Sequence, residues 1–292
     1  MSFVFLTALV FATLRLATPL IFTSLGGMMS ERSGVVNIAL EGFMLVGAFT
    51  AAIVSHATGS AWLGWVAASL SGLAIALFYA VMVIRVKADQ IVTGTAINLL
   101  VAGAIPFLSK ILFNSTGSTP ALDITSRFHF EPVLMAIVLV FIIHWWLHQT
   151  SSGLWLSFAG EHPHALESSG IQVNRVRYFG VIMSGVFAAW GGASLSIYLA
   201  SSYSPMMSGG RGFMALAALI FGKWKPIPSF LACLFFGLTD ALQIQLQGVS
   251  IGGIQVPVQF IQILPYIVTI IAVSGFVGKS QAPKALGEVY EH

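Results

Sequence analysis

The sequence has little charge. Only 8% of its 292 residues are Asp, Glu, Lys or Arg, while 57% are hydrophobic and mean hydropathy is +0.90. Soluble domains carry about 25% charged residues, so a soluble fold is excluded. There is one cysteine, Cys233, inside an apolar run; an intrachain disulfide and a cysteine metal site are ruled out with it. No GxxxxGK[ST] phosphate loop, HExxH or CxxC occurs, so no nucleotide-binding, zinc-hydrolase or redox centre is expected. His162 and His164 stand two apart in a polar stretch without further ligands, and no metal, cofactor or catalytic role is assigned there. Thirteen basic against ten acidic residues leave a net charge of +3, a loop bias rather than a nucleic-acid footprint. The N-terminus, MSFVFLTALVFA, lacks a positive segment and reads as a retained span rather than a cleaved leader.

What the chain has is apolar length. A span needs about 20 apolar residues to cross about 30 Å of hydrocarbon. By that rule the sequence predicts an all-α polytopic membrane protein of about nine helices in one domain, 1–292: 3–25, 38–56, 61–84, 91–113, 132–148, 178–200, 211–222, 227–246 and 257–277. The seventh is short enough to be a half-helix. Arg85 with Lys87, Arg175 with Arg177, Lys223 with Lys225, and Lys279 with Lys284 all fall on one face if the spans alternate. Positive residues mark that face as cytoplasmic. The tail 278–292 is then cytoplasmic, the N-terminus external, and 114–131 the main external loop.

The longest polar interruption is Ser151–Gly185, which overlaps a cytoplasmic loop predicted at 149–177. Inside it, His162–Gly170 reads as a short helix: Pro163 suits the first turn and Gly170 the exit. Two readings are open, a docking element for another subunit or a solvated loop. Two glycine-interrupted stretches, Gly26–Gly47 and Ser208–Gly222, look alike. Paired interruptions often border a substrate path in transporters; glycines also simply allow close helix contact.

Two acidic residues fall inside predicted spans, Glu41 and Asp240. Each costs at least about 2.5–3.5 kcal/mol near the bilayer centre unless it is partnered or faces the interior. Arg15 is a candidate counter-ion for either. Asn37 lies one helical turn before Glu41, Thr95 and Asn98 share the fourth span, and Gln243 shares a face with Asp240. These six, Asn37, Glu41, Thr95, Asn98, Asp240 and Gln243, are the substrate-path candidates; packing locks between helices are the competing use. Amides could meet a neutral polar ring between aromatic faces, for which Phe22, Phe43, Phe107 and Phe213 are available. Trp145–Trp146 and Trp62/Trp65 fit interfacial belts.

Five ordered blocks carry a family likeness: SERSGVVNIALEG at 30–42, ADQIVTGTAINLL at 88–100, GEHPHALESSGIQVNRVRYFGVIMSGVFAAWGGA at 160–193, GRGFMALAALIFGKWKP at 210–226 and PKALGEVY at 283–290. Together they resemble a permease subunit of ABC-type nucleoside importers, within the larger set of branched-chain amino acid and ribose permeases. The resemblance implies a multi-pass protein of the bacterial plasma membrane, working by alternating access. It implies a second, different and longer permease as partner, two cytoplasmic ABC ATPase subunits, and an extracytoplasmic nucleoside-binding lipoprotein. It matches 160–170 to the family's coupling helix, giving Glu161, His162, Pro163, His164, Ala165, Glu167 and Gly170 an ATPase-docking role. The ending departs from the commoner pattern, with Val289 where a proline is usual, in a tail expected to lie far from the substrate path. The alternatives are another ABC cargo, a branched-chain amino acid or a sugar, and an ion-coupled secondary transporter using Glu41 or Asp240.

Overall fold

The computed structural model describes residues 3–115, 117–246, 250–251, 254–255 and 281–290. Ten α-helices dominate: α1 (Phe3–Arg32), α2 (Leu40–Thr58), α3 (Ala61–Ala80), α4 (Gln90–Phe113), α5 (Glu131–Gln149), α6 (Ser151–Glu161), α7 (Pro163–Ser168), α8 (Val173–Ser194), α9 (Arg211–Phe221) and α10 (Pro226–Leu246). π-helical turns extend α3 through Val81–Arg85 and α8 through Leu195–Leu199, and two short strands, Ser250–Ile251 and Ile254–Gln255, pair antiparallel. Among the described residues, seven helices are long and apolar enough to cross a membrane, and α9 is a shorter apolar helix of 11 residues. The expected span 257–277 lies outside the described residues.

Local chemistry sets several ends. The Asp89 side chain accepts from Val92 N at 2.9 Å and starts α4, and Asn114 at φ 51° stops it. Thr150 accepts from Gly153 N at 3.2 Å and starts α6. Each such cap satisfies a backbone group the helix itself leaves unpaired.

The structure departs from these expectations in three places. The first span does not end at residue 25; α1 runs on through Gly26 and Gly27 to Arg32, because Gly26 admits the α8 backbone and Gly27 the side chains of Leu40 and Leu219 rather than breaking the helix. The interruption falls at Ser33–Ala39, with Gly34 at φ 94°. The polar segment 149–177 is not a loop with one helix but holds two, α6 and α7. And Trp65 is no belt residue: it is 4% exposed, stacked on Trp190 and edge-on to Phe22 and Phe128, while Trp62 and Trp145 do face outward.

α8 is the spine. It packs on α1, α2 and α3, and 83% of its apolar stretch is buried against 22% for α4. In lipid, apolar side chains gain nothing by meeting one another, so helices associate through close backbone approach and interhelical hydrogen bonds. Both are present. A methyl at Gly192 would sit 1.8 Å from Met44 O, and one at Gly47 would sit 2.3 Å from Ala189 O. Trp190 Nε1 donates to Ser69 Oγ at 2.7 Å, and Ser196 Oγ donates to Ala48 O at 2.7 Å. α4, in contrast, turns Leu99, Leu100, Phe107 and Ile111 outward.

Main-chain bonds such as Leu122 N to Ser201 O (2.7 Å) and Thr119 N to Tyr203 O (3.1 Å) join the 114–130 and 200–210 connections at one end of the bundle. At the other end Trp224, between Lys223 and Lys225, donates through Nε1 to Glu31 at 2.6 Å, one residue from Arg32. Arg177 reaches Gly34 and the tail there as well.

The α2–α8 contact predicts that Gly192→Ala lowers the melting temperature of the detergent-solubilised protein, by the equivalent of about 1–3 kcal/mol for overpacking. Gly103→Ala, where nothing lies within 4 Å of the added methyl, serves as the neutral control. Equal melting temperatures would show that α2 and α8 do not meet this closely.

Candidate functional site

α9 has 11 residues, which at about 1.5 Å per residue spans roughly half the hydrocarbon thickness. It is followed by Lys223 and Trp224 at the positively charged end, so its N-terminus lies near mid-depth. A helix start there exposes unpaired N–H groups and a partial positive charge where water is scarce. The sequence supplies one carboxylate to meet it. Glu41, in the first turn of α2, accepts through Oε1 from Ser208 Oγ (2.5 Å) and Gly210 N (2.9 Å), and through Oε2 from Gly212 N (2.7 Å). The side chain is buried. Its charge is balanced by two helix N-termini, those of α2 and α9. The two glycine-interrupted stretches thus meet in space, and Glu41 is the joint.

The amides build the rest of that joint. Asn98 Oδ1 accepts from Gly42 N at 2.7 Å and its Nδ2 donates to Ile38 O at 2.9 Å. Asn37 Oδ1 accepts from Ala39 N at 3.0 Å and its Nδ2 donates to Ser184 Oγ at 2.8 Å. Tyr79 donates to Val36 O at 2.5 Å, and Gln90 Oε1 accepts from Val36 N at 2.7 Å. Unwound backbone is tolerated at this depth only where protein or water receives its polar groups. Here protein receives them, from α3, α4 and α8. The contributions of Tyr79, Gln90, Ser184 and Ser208 are not visible in the sequence, because each acts across more than ten residues of chain, Tyr79 and Gln90 on the Val36 backbone and the two serines on the side chains of Asn37 and Glu41.

The six predicted candidates therefore divide. Asn37, Glu41 and Asn98 hold the interruption together. Thr95 is exposed on α4 and bonds back to Ile91 O at 2.8 Å. Asp240 and Gln243 open instead onto a cleft of about 190 Å³, bordered also by Gly209, Arg211, Met214 and Leu16. Asp240 sits in the field of Arg211. Arg15 is not the counter-ion of Glu41 or Asp240; its guanidinium lies over the Tyr198 ring at 5.4 Å. Phe22 and Phe43 are core residues, whereas Phe107 and Phe213 are exposed.

The predicted docking segment is placed as follows. Pro163 opens α7, Ser168 ends it, and Gly170 takes φ 82°. His162, His164 and Ala165 are exposed, and Glu161, Pro163 and Glu167 half-buried. Among the described residues no cluster of three or more metal-ligating side chains occurs.

The joint predicts that Asn98→Ala leaves Gly42 N–H and Ile38 C=O unpaired, a loss of about 1–3 kcal/mol. The check is thermal unfolding in detergent, with Thr95→Ala expected to stay within about 0.5 kcal/mol as a surface change. Glu41→Gln is expected to be at least as damaging as Asn98→Ala, because one amide oxygen must replace two carboxylate oxygens serving three donors. Unchanged unfolding in both variants would remove them from any structural role.

Comparison with known proteins adds the lineage. Residues 9–273 match the family model described as branched-chain amino acid transport system / permease component. The chain is 39% identical to the guanosine ABC transporter permease protein NupQ of Bacillus subtilis, covering 98% of this chain and 97% of that protein. It is 36% identical to the nucleoside ABC transporter permease protein NupC of Lactococcus lactis, covering 94% and 93%. It is 31% identical to the putative glucose ABC transporter permease protein TsgC13 of Haloferax volcanii, covering 98% of each. No solved structure matches. This polytopic helical bundle, aligned over nearly its whole length with transport permeases, belongs to the permease-component family of the branched-chain amino acid transport systems.

Proposed function

We propose that this chain is the membrane-embedded permease subunit of an ATP-driven ABC importer that takes up nucleosides. The observation that carries the reading is full-length similarity, at 39% and 36% identity, to two permeases named for guanosine and for nucleosides. The chain itself hydrolyses nothing. A separate cytoplasmic ATPase pair supplies the energy, a second permease completes the route, and an extracytoplasmic lipoprotein delivers the cargo. In this reading the end bearing Arg85, Arg175, Lys223 and Lys284 faces the cytoplasm of a plasma membrane, with the tail on that side. The proposed helix count is nine, with 257–277 as the last span.

α7 is the proposed coupling helix. Its exposed His164 and Ala165, on a one-and-a-half-turn helix at the positive end, offer an ATPase groove a compact knob. The substrate route passes the cleft at Arg211, Asp240 and Gln243. At about 190 Å³ it is smaller than the roughly 300–1,000 Å³ usual for a small-molecule pocket. A subsite completed by the second permease accounts for that. Charge and amide groups on one wall suit ribose hydroxyls and a base edge.

The test is uptake of labelled guanosine into proteoliposomes holding the assembled transporter, with ATP inside. ATP-dependent uptake, competed by unlabelled nucleosides but not by glucose or leucine, is the expected result. Competition by glucose alone would favour the sugar reading, which the Haloferax relative supports. Uptake without ATP that an ionophore abolishes would replace the ABC reading with ion coupling. Gln243→Ala is expected to raise KM for guanosine about tenfold with little change in kcat, the mark of lost ground-state binding; an unchanged KM would remove the cleft from the route.

A further inference from the structure

The tail 283–290 is docked, and both of its ends bear on elements that matter. At one end Tyr290 is buried among Ala159, Leu166 and Val173. Its phenol O–H donates to the Glu167 carboxylate of α7, and its ring lies 5.4 Å from that of His164. Burial, with the hydrogen bond to Glu167 and that residue's charge, pushes the phenol pKa up to about 12, so it stays a donor at any physiological pH. In the middle Arg177 is buried, stacks over the Tyr290 ring at 5.7 Å, and donates through Nη1 to Glu288 O at 2.8 Å. At the other end Gly287 N donates to Gly34 O at 3.0 Å, and Ala285 N donates to Gly160 O at 2.8 Å. Gly34 opens the unwound stretch that leads through Val36 and Asn37 to Glu41. The tail thus touches the interruption, while no described tail residue borders the cleft at Arg211, Asp240 and Gln243. Its register places main chain against the interruption and an aromatic anchor against α7.

We propose that residues 283–290 form a transmission strap, tying α7 to the Ser33–Ala39 interruption so that displacement of α7 is passed to the base of α2, with Tyr290 and Arg177 as its positioning residues. α7 packs directly on α6 and α8, which are continuous helices anchored in the bundle. The strap gives it a second connection, to the segment that leads into α2, whose Glu41 accepts from the start of α9. Four hydrogen bonds and two ring contacts along eight residues make that connection continuous. Coupling between distant sites needs such a contiguous physical link with an element at its far end that has two arrangements. The Ser33–Ala39 stretch, held by side chains rather than by a regular helix ladder, is built for that. The inference rests on α7 being the ATPase-docking element.

Hydrogen exchange measured by mass spectrometry on the assembled transporter, with and without a non-hydrolysable ATP analogue, separates the two ideas, because local opening is read segment by segment and no cargo is needed. In the unaltered protein nucleotide is expected to change exchange both in 163–170 and in 33–42. In Tyr290→Ala the response in 163–170 should persist while that in 33–42 is lost. In Tyr290→Phe, which keeps the ring over Arg177 and guards against simple misfolding, the 33–42 response should weaken about fivefold, the low end of typical coupling factors. Adding Glu167→Gln to Tyr290→Phe should weaken it no further. A merely structural tail would raise exchange in 33–42 equally with and without nucleotide, and that outcome overturns the strap. So does a nucleotide response in 33–42 that survives Tyr290→Ala. No response in 163–170 of the unaltered protein would refute α7 as the docking helix, and the strap with it.

Discussion

A helix that starts halfway through a membrane leaves its first N–H groups without water and its positive pole without a counter-charge. The fold depends on how that is met. Glu41 meets it with three hydrogen bonds to Ser208, Gly210 and Gly212, from a position where the N-terminus of α2 also favours its charge. Three donors and two helix poles are what make a carboxylate tolerable at this depth. The arrangement also ties residue 41 to residue 212 across the sequence, so the two interrupted stretches of the chain move as one assembly or separate at the cost of a buried charge.

Around that joint the bundle is assembled by surface geometry rather than by hydrophobicity. In a chain that is 57% apolar, oily side chains face lipid and neighbours alike. What distinguishes α8 from α4 is the presence of small residues where α1, α2 and α3 cross it. Backbones approach there until glycine is required, and Ser69, Ser71, Thr50 and Ser196 contribute hydrogen bonds between helices. The outward side of α4 carries bulky apolar groups and no such complementarity among the described residues, the pattern of a surface left for lipid or a second subunit.

Polar residues inside the bundle separate by what they touch. Asn37, Asn98 and Glu41 are consumed in holding unwound backbone. Asp240, Gln243 and Arg211 border open space. The first set receives unwound backbone groups, and the second lines space open to a solute. The tail then runs from the interruption past Arg177 to α7, so one short stretch, Ser33–Ala39, lies between the helix joint and the elements at the positively charged end.

Much of this was legible in the residues. Apolar length and the scarcity of charge determined a polytopic helical membrane protein. Pro163 and Gly170 determined a short helix between them, and a run of about eleven apolar residues determined that α9 would not span. The like character of the two glycine-rich stretches marked them as a pair. Pairing itself was not legible. Glycine signals a close approach or a turn without saying which, so Gly26 looked like a helix end and proved to be a contact. An aromatic residue near a span end looked interfacial, and Trp65 turned out to be core. Partners of Glu41, Arg15 and Tyr290 lie far along the chain, on backbone atoms, ring faces and side chains whose pairing has no sequence signature. The sequence determined which groups could not be left in lipid; tertiary packing alone decided which neighbour would take each one, because hydrogen bonds and ring contacts form between atoms brought together in space, whatever their separation along the chain.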